Sequence, residues 1–501
     1  MKKSILKIVL VLLAAPLFIS CFSDKTTDGV NPIAEIVVTG IKEVYNIGKN
    51  ETLRITPVIT QTNGGKPITY YNWEMNLESK SSEPEFEFVG NDLGKYNCRF
   101  IVGNEDGKTY VPFTLYVNSP YEEGITILSK DKDGHSMISF MQVPLEPGDV
   151  SKFVDGDCFT INNPQEIFAS NPTDIVQSSG KLIVSCKGKG EGNDVPSIYY
   201  MDEKTFTLEN HLTEPKYSDF VPTVLGVLAN TNQGSSYPIL CENGKVYEFS
   251  PSEGTVAPPR MLQSEYEQKC VMYSGSYPNI IFWDKKVNNP VLIYNYNGPY
   301  YCSTKYHATL QDCKDGLAFY NKFFDEYEFV TMERIHLPVG KTNEEPQYII
   351  ITHSGALYHS VIMATSFWLY NWDIEQNYLS YNGEPKTVGI ISPINDKTPC
   401  VANGTYNSML FADGNKVRCW YYMTSQHIME AAEICKVGGN DAVITAFALS
   451  PDNQRTYVAF TEPSKEGLNG SMWVIDSDTG EVLEKFEGIS YDAVKMIYKQ
   501  R

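Results

Sequence analysis

None of the eleven cysteines in this 501-residue chain forms a C-x-x-C pair. Zinc ribbons and thioredoxin-type redox motifs therefore find no footing. Positive charge is also scarce: 41 Lys and Arg stand against 61 Asp and Glu, a formal charge of −20. Such a chain repels nucleic acid phosphates and anionic lipid, which excludes nucleic-acid binding as a main role. Long apolar runs are missing too. The longest, within the uncharged stretch from Ile8 to Ser23, falls short of the ~20 residues that span a bilayer as a helix.

Signatures of catalysis are equally thin. Gly340-Lys341-Thr342 lacks the earlier glycine of a phosphate loop, because Ile335 stands there. Ser129 to Gly134 imitates the opening of a calcium loop, but Phe140 occupies the closing position, so a tight hairpin turn is expected. Gly188, Gly190 and Gly192 precede no helix and read as a flexible hairpin tip. His353 and His359 have no acid between them and match no H-E-x-x-H site; neighbouring strands could bring them together, with structural histidines the default. No G-x-S-x-G elbow occurs, and no carboxylate pair stands in a recognisable glycosidase motif. No metal or cofactor is expected.

What is present begins at the N-terminus. Lys2, Lys3 and Lys7 precede the apolar run, the layout of a secretory signal. Leu17, Phe18, Ile19 and Ser20 lead into Cys21, which resembles the lipobox of bacterial lipoproteins, with Phe18 where Leu is usual. A thiolate is the side chain able to take a diacylglyceryl group as a thioether. Cleavage before Cys21 would free an amine for further acylation, such as with palmitate, and two chains already suffice for stable anchoring. Asp24 and Asp28 resemble the acidic export tag of surface-displayed lipoproteins, interrupted by Lys25. The expected organisation is a signal over residues 1–20 and an acylated Cys21 with a tether over 21–33. Outer-membrane anchoring on the extracellular side follows from that reading.

From Ile33 to about Asn118 short β-forming runs alternate with Gly, Asn and Ser breaks. Five to seven strands are expected over 34–119, making a small β-sandwich. Asp92-Leu93-Gly94-Lys95-Tyr96-Asn97-Cys98 repeats the D-x-G-x-Y-x-C spacing of immunoglobulin-type domains. Tyr96 would then form a tyrosine corner and Trp73 the core tryptophan of the third strand. Cys98 has no partner near Leu53 or Ile55, a departure that makes the segment resemble PKD-like domains instead.

Beyond Tyr121 hairpin-like units recur roughly every 40–70 residues, a period that signals propeller blades of four strands. The last, running through "DSDTGEVLEKF", resembles a quinoprotein-type blade whose D-x-x-T-G-E turn links the outer strands. About seven blades are expected over 120–501, with 304–333 and 363–386 as insertions and "DAVKMIYKQ" completing the blade begun at "GITILSK". Two stacked sandwiches are the competing architecture. The cysteines inside apolar runs, Cys186 among them, read as small buried hydrophobes, with one or two disulfides possible.

The two insertions are dense in aromatics. Phe323 and Tyr327 lie in the first, and Trp368, Tyr370, Trp372 and Tyr378 in the second, with Asp373, Glu375 and Asn377 beside them. Exposed aromatic faces suit sugar rings or extended peptides. The same residues could instead be core.

Taken whole, the chain resembles the PKD-like surface lipoproteins associated with SusC/SusD-type nutrient importers of Gram-negative bacteria. The resemblance implies a non-catalytic accessory subunit that helps a TonB-dependent transporter capture glycan or oligopeptide. A propeller-fold glycan-degrading hydrolase or lyase, and a purely structural or adhesive subunit, are the alternatives.

Overall fold

The computed structural model describes residues 32–501 apart from 145–149, 262–270, 302–326, 341–346, 366–378, 382–385, 390–393, 423–430 and breaks of one to three residues elsewhere. Nearly all regular structure in it is β, and the chain divides into two compact units between Ser119 and Pro120. Among the described residues no helix is long and apolar enough to cross a membrane.

The first unit holds nine strands, more than the five to seven expected. They are β1 (Ile36–Thr39), β2 (Val44–Gly48), β3 (Thr52–Ile55), β4 (Val58–Gln61), β5 (Tyr70–Met75), β6 (Glu78–Ser81), β7 (Phe86–Val89), β8 (Gly94–Asn104) and β9 (Gly107–Asn118). The extra count has a local cause. Pro57 interrupts the apolar run 52–61, and a residue without an N–H cannot continue a ladder. The chain therefore changes partner there, β3 pairing with β7 and β4 with β1. The remaining strands form one sheet in the order β2-β9-β8-β5-β6, with β2 parallel to β9. Leu53, Ile55 and Phe86 of the small sheets pack with Trp73, Phe100 and Leu115 of the large one in a single core.

The second unit opens with β10 (Gly124–Lys130), β11 (Ser136–Gln142) and β12 (Lys152–Val154), followed by a short helix, Cys158–Asn162, capped by Asp157. Next come β13 (Pro172–Ser178), β14 (Lys181–Cys186), β15 (Ser197–Asp202) and β16 (Leu208–Leu212), a four-stranded antiparallel sheet in chain order. A third sheet comprises β17 (Pro222–Leu225), β18 (Ala229–Thr231), β19 (Gly234–Cys241), β20 (Val246–Ser250) and β21 (Thr255–Met261). A fourth contains β22 (Val271–Ser274), β23 (Pro278–Asp284), β24 (Asn289–Tyr294) and β25 (Asn297–Tyr301).

Then β26 (Glu328–His336), β27 (Gln347–Ser354), β28 (Leu357–Thr365), β29 (Leu379–Tyr381) and β30 (Lys386–Gly389) form one meander. It joins a second, β31 (Cys400–Asn403), β32 (Ser408–Asp413), β33 (Lys416–Tyr421) and β34 (Ala432–Lys436), through a parallel pair of Ile335 and His336 with Ala402 and Asn403. The last meander is β35 (Val443–Leu449), β36 (Arg455–Thr461), β37 (Gly470–Asp476) and β38 (Val482–Ser490). The final strand, β39 (Asp492–Lys499), returns to pair antiparallel with β10. As expected, "DAVKMIYKQ" completes the sheet begun at "GITILSK".

Successive sheets pack face to face. Leu128 and Phe140 meet Ile175 and Tyr199 across one interface, and Ile183 meets Ile239 and Tyr247 across the next. Met409 packs with Ile349, Leu410 with Val458, and Ile127 with Tyr457. Leading strands of several sheets also lie against one another: β39 touches β13 and β35, β13 touches β17, and β31 touches β35. Meanders in sequence, stacked face to face and closed by the terminal strand, are a propeller-like architecture.

Turn chemistry repeats between sheets. Asp476 Oδ1 accepts from the backbone N–H groups of Asp478 and Thr479 and from the Thr479 hydroxyl, closing the D-x-x-T-G-E turn. Asp202 does the same for Lys204 and Thr205. Gly480 follows the first turn at φ 75°, where an added Cβ would come within 2.3 Å of the Ile434 carbonyl oxygen. Its counterpart Phe206 accepts φ 54° because its buried ring stacks on Tyr121 at 4.2 Å.

All seven described cysteines are free. Burial pushes the Cys158 and Cys241 thiols up to about 12, and those of Cys98 and Cys419 up to about 11. An unfolded thiol ionises near pH ~8.5, so these groups favour the native state fully below that pH. The benefit is lost as pH climbs toward the native values. We expect the melting temperature to fall steadily from about pH 9 to 11. A flat profile across that range, followed by circular dichroism, would contradict the assignment.

Candidate functional site

Polar contacts tie several leading strands to their neighbours. Lys495 Nζ on β39 lies 2.5 Å from Asp174 Oδ1 on β13, and Asp174 Oδ2 accepts from the Leu225 N–H on β17 at 2.7 Å. On other leading strands, the His336 carbonyl accepts from Gly404 N (2.8 Å) and Asn453 Nδ2 (2.7 Å). Surrounding protein lowers the His336 imidazole to about 4, and the positive charges of Arg334 and Lys495 add to this against Glu333. The His336 side chain itself is exposed, and the structural ties here are made by its carbonyl.

A groove of about 420 Å³ opens along β16, lined by Asn163, Gln165, Glu166, Leu208, Glu209, Asn210 and His211. Its shape is set by two buried residues. Asn163 donates through Nδ2 to the Phe159 carbonyl (3.0 Å) and the Phe206 carbonyl (2.9 Å), while its Oδ1 accepts from Leu208 N at 2.7 Å. Tyr199 donates its hydroxyl to the Ile167 carbonyl and accepts from Ala169 N, both at 2.8 Å. The loop that carries Gln165 and Glu166 is thereby tied to the start of β16 at one end and to β15 at the other.

Tyr199 also stacks on the His211 ring, centroids 4.5 Å apart and planes 13° apart. His211 Nε2 lies 3.2 Å from Ser197 Oγ. Burial lowers the His211 pKa while Glu166 opposes the shift. Glu209 is paired with Lys181 at 2.5 Å. Among the described residues, the side chains of Gln165, Glu166 and Asn210 have no hydrogen-bond partner. The arrangement offers amide donors and acceptors plus one carboxylate, in a polar groove with a single aliphatic wall.

Sequence-level candidates fall elsewhere. Cys21, Phe323, Trp368, Tyr370, Trp372 and Tyr378 lie outside the described residues. Tyr327 sits half-buried just before β26, and its carbonyl accepts from Asn288 Nδ2 at 2.6 Å. Nearby Phe329 stacks on the buried Trp283 at 5.0 Å. This end of the first aromatic segment, expected as an insertion, enters a strand and packs there. Parts of the second segment likewise form β29 and β30.

His353 pairs in register with Tyr358 rather than with His359, and its Nε2 meets Glu328 Oε2 at 3.1 Å. Ser129 to Gly134 is a tight turn in which Asp131 accepts from Asp133 N, His135 N and His135 Nδ1. The glycine tip is tied down rather than loose, since Gly188 N donates to Ser170 O and Gly190 N to Asp194 O. No sequence motif announces the groove. Its one signal is the polar cluster at 163–166 and 209–211, indistinguishable in sequence from ordinary loop residues.

No known family profile matches the chain, and no curated protein resembles it. Among solved structures it is similar to a quinoprotein alcohol dehydrogenase-like protein of Bacteroides thetaiotaomicron, at 15% identity over 93% of this chain and 99% of that one, with a TM-score of 0.43. A DUF4784 family protein of Bacteroides caccae shares 9% over 92% and 98%, TM-score 0.29. The C-terminal WD40 domain of Sif2 shares 12% over 76% and 85%, TM-score 0.31. At such distances they assign no activity. The class of protein is stated by its own strand order: all-β, with a propeller-like second unit.

Proposed function

We propose that this protein is a lipid-anchored outer-membrane surface protein, a non-catalytic accessory subunit that helps a SusC/SusD-type importer capture glycan or oligopeptide. The observation that carries the reading is Cys21, placed at the end of a short apolar run and followed by an acidic tether. A PKD/Ig-like first unit then serves as spacer. Its support is the Tyr96 hydroxyl donating to the Asp92 carbonyl at 2.8 Å, beside a fully buried Trp73. The second unit reads as seven blades, counting the nine-stranded sheet as two meanders joined at Ile335 and His336.

Cys21→Ser is expected to abolish incorporation of radiolabelled palmitate and release the protein from the membrane fraction. Retention of label in that variant removes the anchor. Affinity purification of the lipidated wild type from detergent-solubilised outer membranes is expected to bring down a SusC/SusD-type pair near stoichiometry. Recovery of the anchored protein alone would overturn the importer role.

A further inference from the structure

The groove along β16 is a built feature rather than a surface accident. Asn163 spends its amide on three backbone groups and Tyr199 its hydroxyl on two, all to hold one short loop over an outer strand. The groups this loop presents are the ones left unspent. Gln165 and Glu166 on the loop, and Asn210 on the strand, make no side-chain hydrogen bond within the described protein. Gly254 stands beside the Asn210 amide, and a Cβ there would come within 3.0 Å of Nδ2, so the neighbouring position adds no side chain to cover it. Tyr199 covers one face of the His211 ring and Ser197 Oγ meets its Nε2, while the exposed remainder of the side chain lines the groove.

We propose that this groove binds one or two sugar units of a neutral glycan, with Gln165, Glu166 and Asn210 taking ring hydroxyls and His211 supplying a flat surface. Each hydroxyl is at once donor and acceptor, and a primary amide answers both roles while a carboxylate accepts two bonds. Ordered polar contacts of this kind fix orientation in a concave site. Glu166 opposes carboxylated or sulfated sugars, because Glu209 is already neutralised by Lys181 and no cation in the lining offsets it. An extended peptide is a poorer match. Adding a strand at an edge draws specificity from pockets for alternate side chains, and Leu208 is the single apolar residue of the lining.

The inference rests on the capture reading above and names its ligand class. The test uses the full chain on an array of neutral oligosaccharides, linear hexaoses of glucose, mannose, xylose and galactose in α and β linkages, followed by calorimetric titration. Wild type is expected to bind at least one of them, and Asn210→Ala and Gln165→Ala are each expected to weaken it about tenfold without moving the melting temperature. No binding across the array overturns the proposal. So does saccharide binding that both variants leave intact, or binding of hexapeptides in place of saccharides. The two readings separate cleanly. Saccharide binding without a co-purifying transporter sinks the importer role alone, and a transporter without saccharide binding sinks the groove alone.

Discussion

A chain ended at Ser490 is expected to lose the cooperative melt of residues 120–501. The reason is the position of β39, the last strand in sequence and the partner of β10, the first of its unit. Ala493 and Met496 are buried in the cluster that joins Ile125, Ile127 and Met141 to Ala446, Tyr457 and Met472. Ile497 packs on the next cluster, against the second sheet. Burying a large apolar side chain contributes ~1.5–3 kcal/mol, so these contacts sum to several kcal/mol.

Polar ties add to them. Tyr498 donates to Glu123 Oε1 (2.7 Å), Lys499 Nζ to the Glu122 carbonyl (2.7 Å), and Gln500 exchanges two bonds with Gln177. A domain's whole stability is about 5–15 kcal/mol, so removing this strand consumes most of it. The exposed edge of β10 would also invite association. Calorimetry decides the matter. A truncated chain that melts like wild type would show the ring closes without its C-terminus, whereas rescue by a peptide of residues 491–501 would confirm the strand's role directly.

Trp73→Ala should unfold the first unit while leaving the second unit's melt in place. The indole is fully buried, stacked on Phe86 at 4.9 Å and against Phe100 at 4.2 Å, and its Nε1 donates to the Glu83 carbonyl at 3.0 Å. Truncating a core tryptophan costs about 3–5 kcal/mol through lost contacts and the cavity left behind. That is comparable to the stability of a small sandwich. Hydrogen exchange resolves the outcome by region, with protection expected to vanish from β5, β8 and β9. Trp73→Phe keeps one ring in the slot and should cost clearly less. Equal effects from the two substitutions would mean that aromatic packing is not what the site provides.

Much of this was readable beforehand, for physical reasons that differ by element. Strands announced themselves through alternation and turn residues, because one face of each must be apolar to stack on its neighbour. Tyr96 and Trp73 were legible since a corner hydrogen bond and a single large core residue leave a fixed spacing in the chain. The terminal strand was legible as well, an amphipathic run with no hairpin partner of its own. The turn at Asp202 escaped notice because Phe206 holds the place glycine holds after Asp476, and a buried ring compensates for its backbone conformation. The switch of partner at Pro57 was hidden, since two short strands and one long one carry the same composition.

Sequence alone determined the charge balance, the Cys21 context, the all-β class and the approximate repeat, because each is a property of neighbouring residues. Only the tertiary structure decided which other strands share a sheet, the register in which β39 meets β10, and that residues 163–166 face 208–211 in one groove. Those outcomes join positions tens to hundreds of residues apart. Their hydrogen bonds, such as Asn163 to Phe206 and Lys499 to Glu122, exist because burial leaves a backbone group no water to turn to. No local pattern records a partner that distant.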